Sequence, residues 1–328
     1  MTTAPRFLTL LAPLTLLLAC RAESDRLPSE LSASDRSPSG FSASSFANSE
    51  WSTPVNLGPV VNSTVNDIQP SLSHDGLSLY FASVRAGGVG ANDIWVTRRA
   101  CDGCPWETPV NVAPLNTSFL EGGPALSRDG HLLFFHSGRP GGPGSNDIYV
   151  SRRANPTDDF GWESPTLLGP DVNTATLENR PFYQQSAEDG AGNLYFNRGP
   201  AAGVLNDIYV AAVTRDGEVR GPAVLVAELS DPSASDMSAA VRDDGREVFF
   251  ASNRAGTLGP TDIWVSTRRS VHDPWSPPVN LGLPVNSAFG DQTNSLSTDG
   301  RTLLFDSDRP GGVGLRDIWI STRTPSGH

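Results

Sequence analysis

The chain has 328 residues, 38% of them hydrophobic, and a formal charge of −12 in which every basic residue is an arginine. An acidic chain without a basic stripe lacks the positive footprint that phosphate contacts require, which argues against nucleic acid as a partner. With 32 Gly and 27 Pro the chain is rich in turns. Beyond the N-terminus no long stretch carries apolar residues at helical spacing, so many short strands are expected rather than a helical bundle.

In chain order, residues 1–19 read as an export signal. Arg6 is the positive charge, and the apolar run Phe7–Ala19 is too short for a stable bilayer anchor. The run ends in Leu17-Leu18-Ala19-Cys20, which resembles the bacterial lipoprotein box with Cys20 as the lipidated residue. Acyl chains there would attach the protein to a membrane without a transmembrane helix. Residues 20–48 form a Ser-rich and Ala-rich tether expected to be disordered, since it cannot bury enough apolar surface to offset its ordering entropy. No Asp follows Cys20, so the outer membrane, facing periplasm or exterior, is the expected destination.

Residues 49–324 are repetitive, followed by a short tail at 325–328. Asp-Ile-aromatic-aliphatic begins at Asp93, Asp147, Asp207, Asp262 and Asp317, at spacings of 54, 60, 55 and 55. Asp-Gly keeps the same step at Asp75, Asp129, Asp189, Asp244 and Asp299, and a third marker runs through Trp51, Trp106, Trp162 and Trp275. In the first repeat, strand A is expected over Ile68–His74, a tight turn at Asp75-Gly76, and strand B over Leu77–Ser83. A Gly-rich loop then leads to strand C over Asn92–Arg98, and strand D falls around Trp106–Val112. Four antiparallel strands per repeat predict an all-β, five-bladed β-propeller. The region opens on a strand D at Trp51–Gly58 and closes after a strand C at Asp317–Arg323. The N-terminal strand should therefore complete the last blade and leave no open sheet edge.

The run Pro70-Ser71-Leu72-Ser73-His74-Asp75-Gly76, with Leu79-Tyr80-Phe81-Ala82-Ser83-Val84-Arg85 and then Asp-Ile-Trp-Val, resembles the WD40-like propeller repeats of the TolB type. The resemblance spans about residues 51–324 and is weakest in the third repeat. The TolB type has six blades and a second domain, whereas this chain has five repeats, so its partners do not carry over.

Two rings of charge are expected at the channel mouth, on the face of the B–C and D–A loops. Arg85, Arg139, Arg198, Arg254 and Arg309 open the five B–C loops. They would either read anionic groups or pair locally with the Asp that ends each loop. Asp67, Glu121, Glu178, Asp236 and Asp291 stand just ahead of the five A strands. They would hold calcium or sugar hydroxyls, or else cap loop amides and pair with the neighbouring arginines. The repeated aromatics suit an interblade core better than sugar platforms.

Cys101-Asp102-Gly103-Cys104 has no second cysteine pair to complete a zinc site and suits a small disulfide in an oxidising compartment. No metal site, cofactor motif or catalytic motif appears, calcium at the acidic ring being the exception to consider. The function expected is a monomeric binding or scaffold module of the cell envelope, engaging a protein or glycan partner through the long-loop face. The alternative is a glycoside hydrolase or lyase at the channel mouth. That chemistry needs two carboxylates in unlike surroundings, which equivalent acids in every blade do not supply. The blades differ most at His136, Asn197, Asp306 and Asp308, and at Asn179, Arg180 and Tyr183, which is where such asymmetry belongs.

Overall fold

The computed structural model describes residues 50–186, 189–201 and 204–324. The signal segment, Cys20, the tether to residue 48 and the tail at 325–328 lie outside the described residues. Among the described residues there is no helix, and twenty strands form five separate four-stranded antiparallel sheets.

The N-terminal strand β1 (Val55–Asn56) belongs to the last blade. Blade 1 holds β2 (Asp67–Leu72), β3 (Ser78–Ser83), β4 (Asp93–Arg98) and β5 (Val110–Asn111); blade 2 holds β6 (Glu121–Leu126), β7 (Leu132–Ser137), β8 (Asp147–Arg152) and β9 (Thr166–Leu167). Blade 3 holds β10 (Leu177–Gln185), β11 (Gly192–Gly199), β12 (Asp207–Val213) and β13 (Val224–Leu225). Blade 4 holds β14 (Asp236–Val241), β15 (Glu247–Ser252), β16 (Asp262–Thr267) and β17 (Val279–Asn280). Blade 5 runs β18 (Asp291–Leu296), β19 (Thr302–Ser307), β20 (Asp317–Thr322) and then β1, so the ring is closed by the N-terminal strand. The closing register is Val55 opposite Ile320 and Asn56 opposite Trp319.

Each second strand is buried on both faces because blades pack against it from either side. Leu79, Tyr80, Phe81 and Ala82 of β3 are all inaccessible to solvent, which explains a continuous apolar run where a two-sided sheet would alternate. The core is accordingly five interblade clusters, such as Phe134 of blade 2 against Tyr183 of blade 3, with ring centroids 4.9 Å apart. The Asp-Gly turns return each first strand to the second. Their glycines sit at φ of 69–73°, a region closed to most side chains.

The outer strands are shorter than the sequence suggests. Only two residues pair in each; in four of the five, Pro54, Pro109, Pro165 and Pro278 stand immediately before the paired residues, and proline has no N–H to give to the ladder, while in blade 3 the Ala223 N–H is given to the Asp171 carbonyl instead. The innermost strands depart in another way. The register of β2, β6, β10 and β14 shifts around Gln69, Gly123, Arg180 and Ser238, which adopt φ of 57°, 57°, 49° and 59°. These bulges re-aim the residue two positions after the acid, Asp67, Glu121, Glu178 or Asp236, that stands at the head of each strand.

Candidate functional site

The two rings of charge expected at the mouth are one set of internal braces. Asp67, Glu121, Glu178, Asp236 and Asp291 are fully buried, and each pairs with the arginine of its own blade. Asp67 binds Arg85, Glu121 binds Arg139 at 3.3 Å and Glu178 binds Arg198 at 2.9 Å, while Asp236–Arg254 and Asp291–Arg309 close to 2.5 Å. The acids also cap the loops ahead of them: Thr117 N–H and Oγ1 donate to Glu121 at 2.8 and 2.6 Å, and Ser287 N–H and Oγ donate to Asp291 at 2.7 and 2.9 Å. Each arginine further donates to a carbonyl of the same loop, as Arg139 does to Leu115 at 2.6 Å, and stacks on the aromatic of the third strand, 4.9 Å from Tyr149 in that blade.

Neither ring therefore offers free ligand groups at the mouth. The Arg–Asp pairing within the B–C loop is not the one that forms either. Asp93, Asp147, Asp262 and Asp317 instead accept loop amides, for example Gly90 N–H at 3.1 Å and Gly259 N–H at 3.2 Å. A carboxylate one turn from a Gly-rich loop meets backbone N–H groups before it meets a guanidinium. Among the described residues no group of three or more His, Cys, Asp or Glu gathers in a metal-holding arrangement. Cys101 and Cys104 are joined by a disulfide. Most of the repeated aromatics are buried, Trp95, Tyr149, Trp264 and Trp319 among them.

What distinguishes the blades lies one residue inward. The residue just before Ser83, Ser137, Arg198, Ser252 and Ser307, near the end of each second strand, is Ala82, His136, Asn197, Ala251 and Asp306 in blades 1 to 5. In three blades its side chain accepts the N–H of the bulged residue in the next blade. Gln69 N–H donates to Asp306 Oδ1 at 3.1 Å, Arg180 N–H to His136 Nδ1 at 3.2 Å, and Ser238 N–H to Asn197 Oδ1 at 3.1 Å. Blade 2, whose neighbour offers only Ala82, takes Gln69 Oε1 instead, at 2.7 Å from Gly123 N–H. A belt of polar side chains thus links four of the five blade junctions around the channel.

That belt requires acceptors but no charge, yet charge is present. Arg180 reaches across the channel, donating through Nη1 to Ser238 Oγ at 2.7 Å and Gln292 Oε1 at 2.6 Å, both neutral. Burial pulls its pKa below the ordinary arginine value, with Asp306 partly opposing. His136 is pushed down to about 3, by burial first and by Arg180 second, so the imidazole is neutral with its proton on Nε2. Arg316 binds Asp306 through Nε and the Gly290 carbonyl at 3.0 Å. Beside it Asp308, exposed to solvent, accepts the Gly290 N–H at 2.7 Å. Two amide atoms of the belt, Asn179 Oδ1 and Asn197 Nδ2, are buried without a partner. Each such group costs about 1–3 kcal/mol.

The opposite end of the channel is an open recess lined by residues such as Leu72, His74, Arg128, Tyr183 and Asp243. Its polar groups satisfy one another: Arg128 pairs with Asp243, and His74 Nδ1 lies 2.6 Å from Thr298 Oγ1. Tyr183 faces this recess rather than the mouth, with its hydroxyl donating to the Gly190 carbonyl at 3.3 Å. The mouth half, with its unmatched groups, is the better candidate site.

No protein-family model matches the chain, and no curated protein does. The TolB-type likeness is therefore one of repeat pattern alone. Solved structures do match. A thermostable family-43 glycoside hydrolase superposes with a TM-score of 0.55 at 15% identity, covering 84% of this chain and 98% of that one. The catalytic domain of a family-62 α-L-arabinofuranosidase from Coprinopsis cinerea gives 0.54 at 12% identity over 84% and 97% of the two chains. An α-L-arabinofuranosidase from Podospora anserina, solved with cellotriose, gives 0.52 at 11% identity over 82% and 94%. At these identities the likeness establishes the five-bladed fold.

Proposed function

We propose that this chain acts on a glycan at the long-loop mouth of its channel, as a glycoside hydrolase, rather than serving only as a scaffold. One observation carries the reading: at the mouth end of blade 5, two carboxylates in unlike surroundings stand beside a single arginine. Asp306 is buried and bound to Arg316, whereas Asp308 is exposed and held only by the Gly290 amide among the contacts described for it. The fold does not require either charge. Asn197 does for Ser238 what Asp306 does for Gln69, and Asn253 accepts the Ser235 N–H at 2.7 Å just as Asp308 accepts that of Gly290. Cleavage of a glycosidic bond needs one carboxyl to protonate the leaving oxygen and another to act on water or on the anomeric carbon. Asp306 and Asp308 are the pair proposed to divide these two roles. The solved structures that share the fold include glycoside hydrolases, which supports the same reading.

The chain is further proposed to be an envelope lipoprotein anchored through Cys20, which would put the site within reach of extracytoplasmic polysaccharide.

The test is release of reducing ends from a panel of neutral and acidic polysaccharides. Asp306→Asn and Asp308→Asn should each lower the rate by roughly 100-fold or more, the usual scale for a proton-transfer residue. Asp308→Asn should melt near wild type, because Asn253 makes the same bond in blade 4, whereas Asp306→Asn should melt lower, because it leaves Arg316 without its carboxylate. Variants that cleave as well as wild type would remove the assignment. Binding without cleavage would leave a glycan-binding module.

A further inference from the structure

We infer that the glycan engaged at this mouth is acidic, and that a uronate carboxylate docks on Arg180. This rests on the glycan reading above and names its substrate class. The electrostatics of the channel run against those of the chain. A molecule of net charge −12 has at its centre two guanidiniums, Arg180 and Arg316, against one buried carboxylate, Asp306. Asp306 is committed to Arg316, and no ion pair joins Arg180 to a carboxylate among the described residues.

Arg180 sits among neutral acceptors with its pKa lowered by burial, and the carboxylate that opposes this, Asp306, is already bound to Arg316, so the Arg180 charge has no hydrogen-bonded counter-ion among the described residues. The neighbouring blade holds its backbone: at a left-handed φ of 49°, Arg180 donates its N–H to His136 Nδ1 at 3.2 Å. Two buried amide atoms nearby lack partners: Asn197 Nδ2, a donor that a carboxylate would satisfy, and Asn179 Oδ1, an acceptor that a hydroxyl of the same sugar would satisfy. Arginine's planar fork matches a carboxylate in two parallel bonds, which an ammonium group would not do. Asp306 and Asp308 are the carboxylates that work against an anion there; the first is neutralised by Arg316 and the second, exposed at the rim, is screened by solvent.

The experiment is calorimetric titration of the intact chain with trigalacturonate, with its methyl ester, and with a neutral xylo-oligosaccharide and a sulfated oligosaccharide as controls. The acid should bind at least tenfold more tightly than its ester, and the gain should shrink as salt rises from 50 to 500 mM (about a threefold shorter screening length). Arg180→Gln should abolish the preference while a melting curve shows the fold retained; comparing acid with ester on wild type gives the same answer should that variant fail to fold. Equal affinity for acid and ester, or binding of the neutral sugar alone, would overturn the inference and leave the glycan reading standing. Preference for the sulfated ligand over the uronate would overturn the carboxylate assignment. Failure of every glycan to bind would overturn both.

Discussion

At the scale of single residues, repetition hides function and asymmetry reveals it. The five acids and five arginines recur in every blade, and the structure spends them on bracing: removing one acid would strand a half-buried guanidinium. Their regularity was legible in the sequence, but their mutual pairing was not, because the acid and arginine are 18 to 20 positions apart and meet only across the first two strands. The residues that break the repeat, His136, Arg180, Asn197, Asp306 and Asp308, were legible as exceptions, and all of them lie in or beside the channel belt. Tyr183, picked out by the same logic, belongs to the other end. Gln69, Gln292 and Arg316 were missed; Arg316 stands where the other blades carry Asn92, Asn146, Asn206 and Thr261, and that break was the available signal. His136 yields a prediction. Its folded pKa of about 3 lies below the free value of 6.5, so the unfolded chain takes up a proton that the native state refuses. Stability from this group is present above pH 6.5 and lost as pH falls toward 3, amounting to about 3 kcal/mol by pH 4. His136→Asn keeps an acceptor for the Arg180 amide and removes the titration. Its melting temperature, relative to wild type, should therefore rise steadily between pH 7 and pH 4. Parallel pH profiles would show that the imidazole does not titrate abnormally.

At the scale of elements, the strands were read from alternation and turn chemistry, and their existence and order agree with the structure. Their ends do not, for two physical reasons. Proline removes the donor that would lengthen four of the five outer strands, and the bulge that re-aims each inner strand is visible in sequence only where it falls on a glycine, Gly123. At Gln69, Arg180 and Ser238 the left-handed backbone is imposed by the interblade hydrogen bond, which no local pattern announces. The closing strand β1 makes few ladder bonds but is fastened from several sides. Trp51 packs edge-on against Phe249 of blade 4 at 5.6 Å, and Arg323 lies 4.6 Å above its ring. Asn56 Nδ2 donates to Asp317 at 2.9 Å, and Asn62 bonds both the N–H and the carbonyl of Ile318, at 2.9 and 3.0 Å. Deleting residues 51–58 should thus abolish the cooperative thermal transition, and Trp51→Ala alone should cost about 3–5 kcal/mol. A deletion variant that melts like wild type would mean that β1 is not the closure.

At the scale of the whole molecule, closure by one strand makes the ring nearly indifferent to where the chain is cut. The interblade clusters are alike around the ring, and the same arginine clamp recurs on the face of the Asp-Gly turns: Arg99, Arg153, Arg268 and Arg323 each donate to a turn glycine carbonyl at 2.6 to 2.8 Å and stack on Trp106, Trp162, Trp275 and Trp51. Blade 5 differs from blade 4 in this respect only by a missing peptide connection. Trp51 bridges Arg323, so the described ends of the chain are adjacent and a short linker can join them. The C–D connection of blade 4, at Val271, His272 and Asp273, is exposed and suits new termini. A permutant that begins at residue 274, runs through 324, is linked to residue 50 and ends at 271 would close blade 4 with β17 exactly where β1 now closes blade 5. Its melting temperature should fall within a few degrees of the parent, since the same contacts form and only the position of one loop closure changes. The channel belt should survive unchanged, so the permutant should also retain whatever glycan affinity the parent shows. A permutant that fails to fold would assign the native junction a role in folding that the symmetry of the clamps does not suggest.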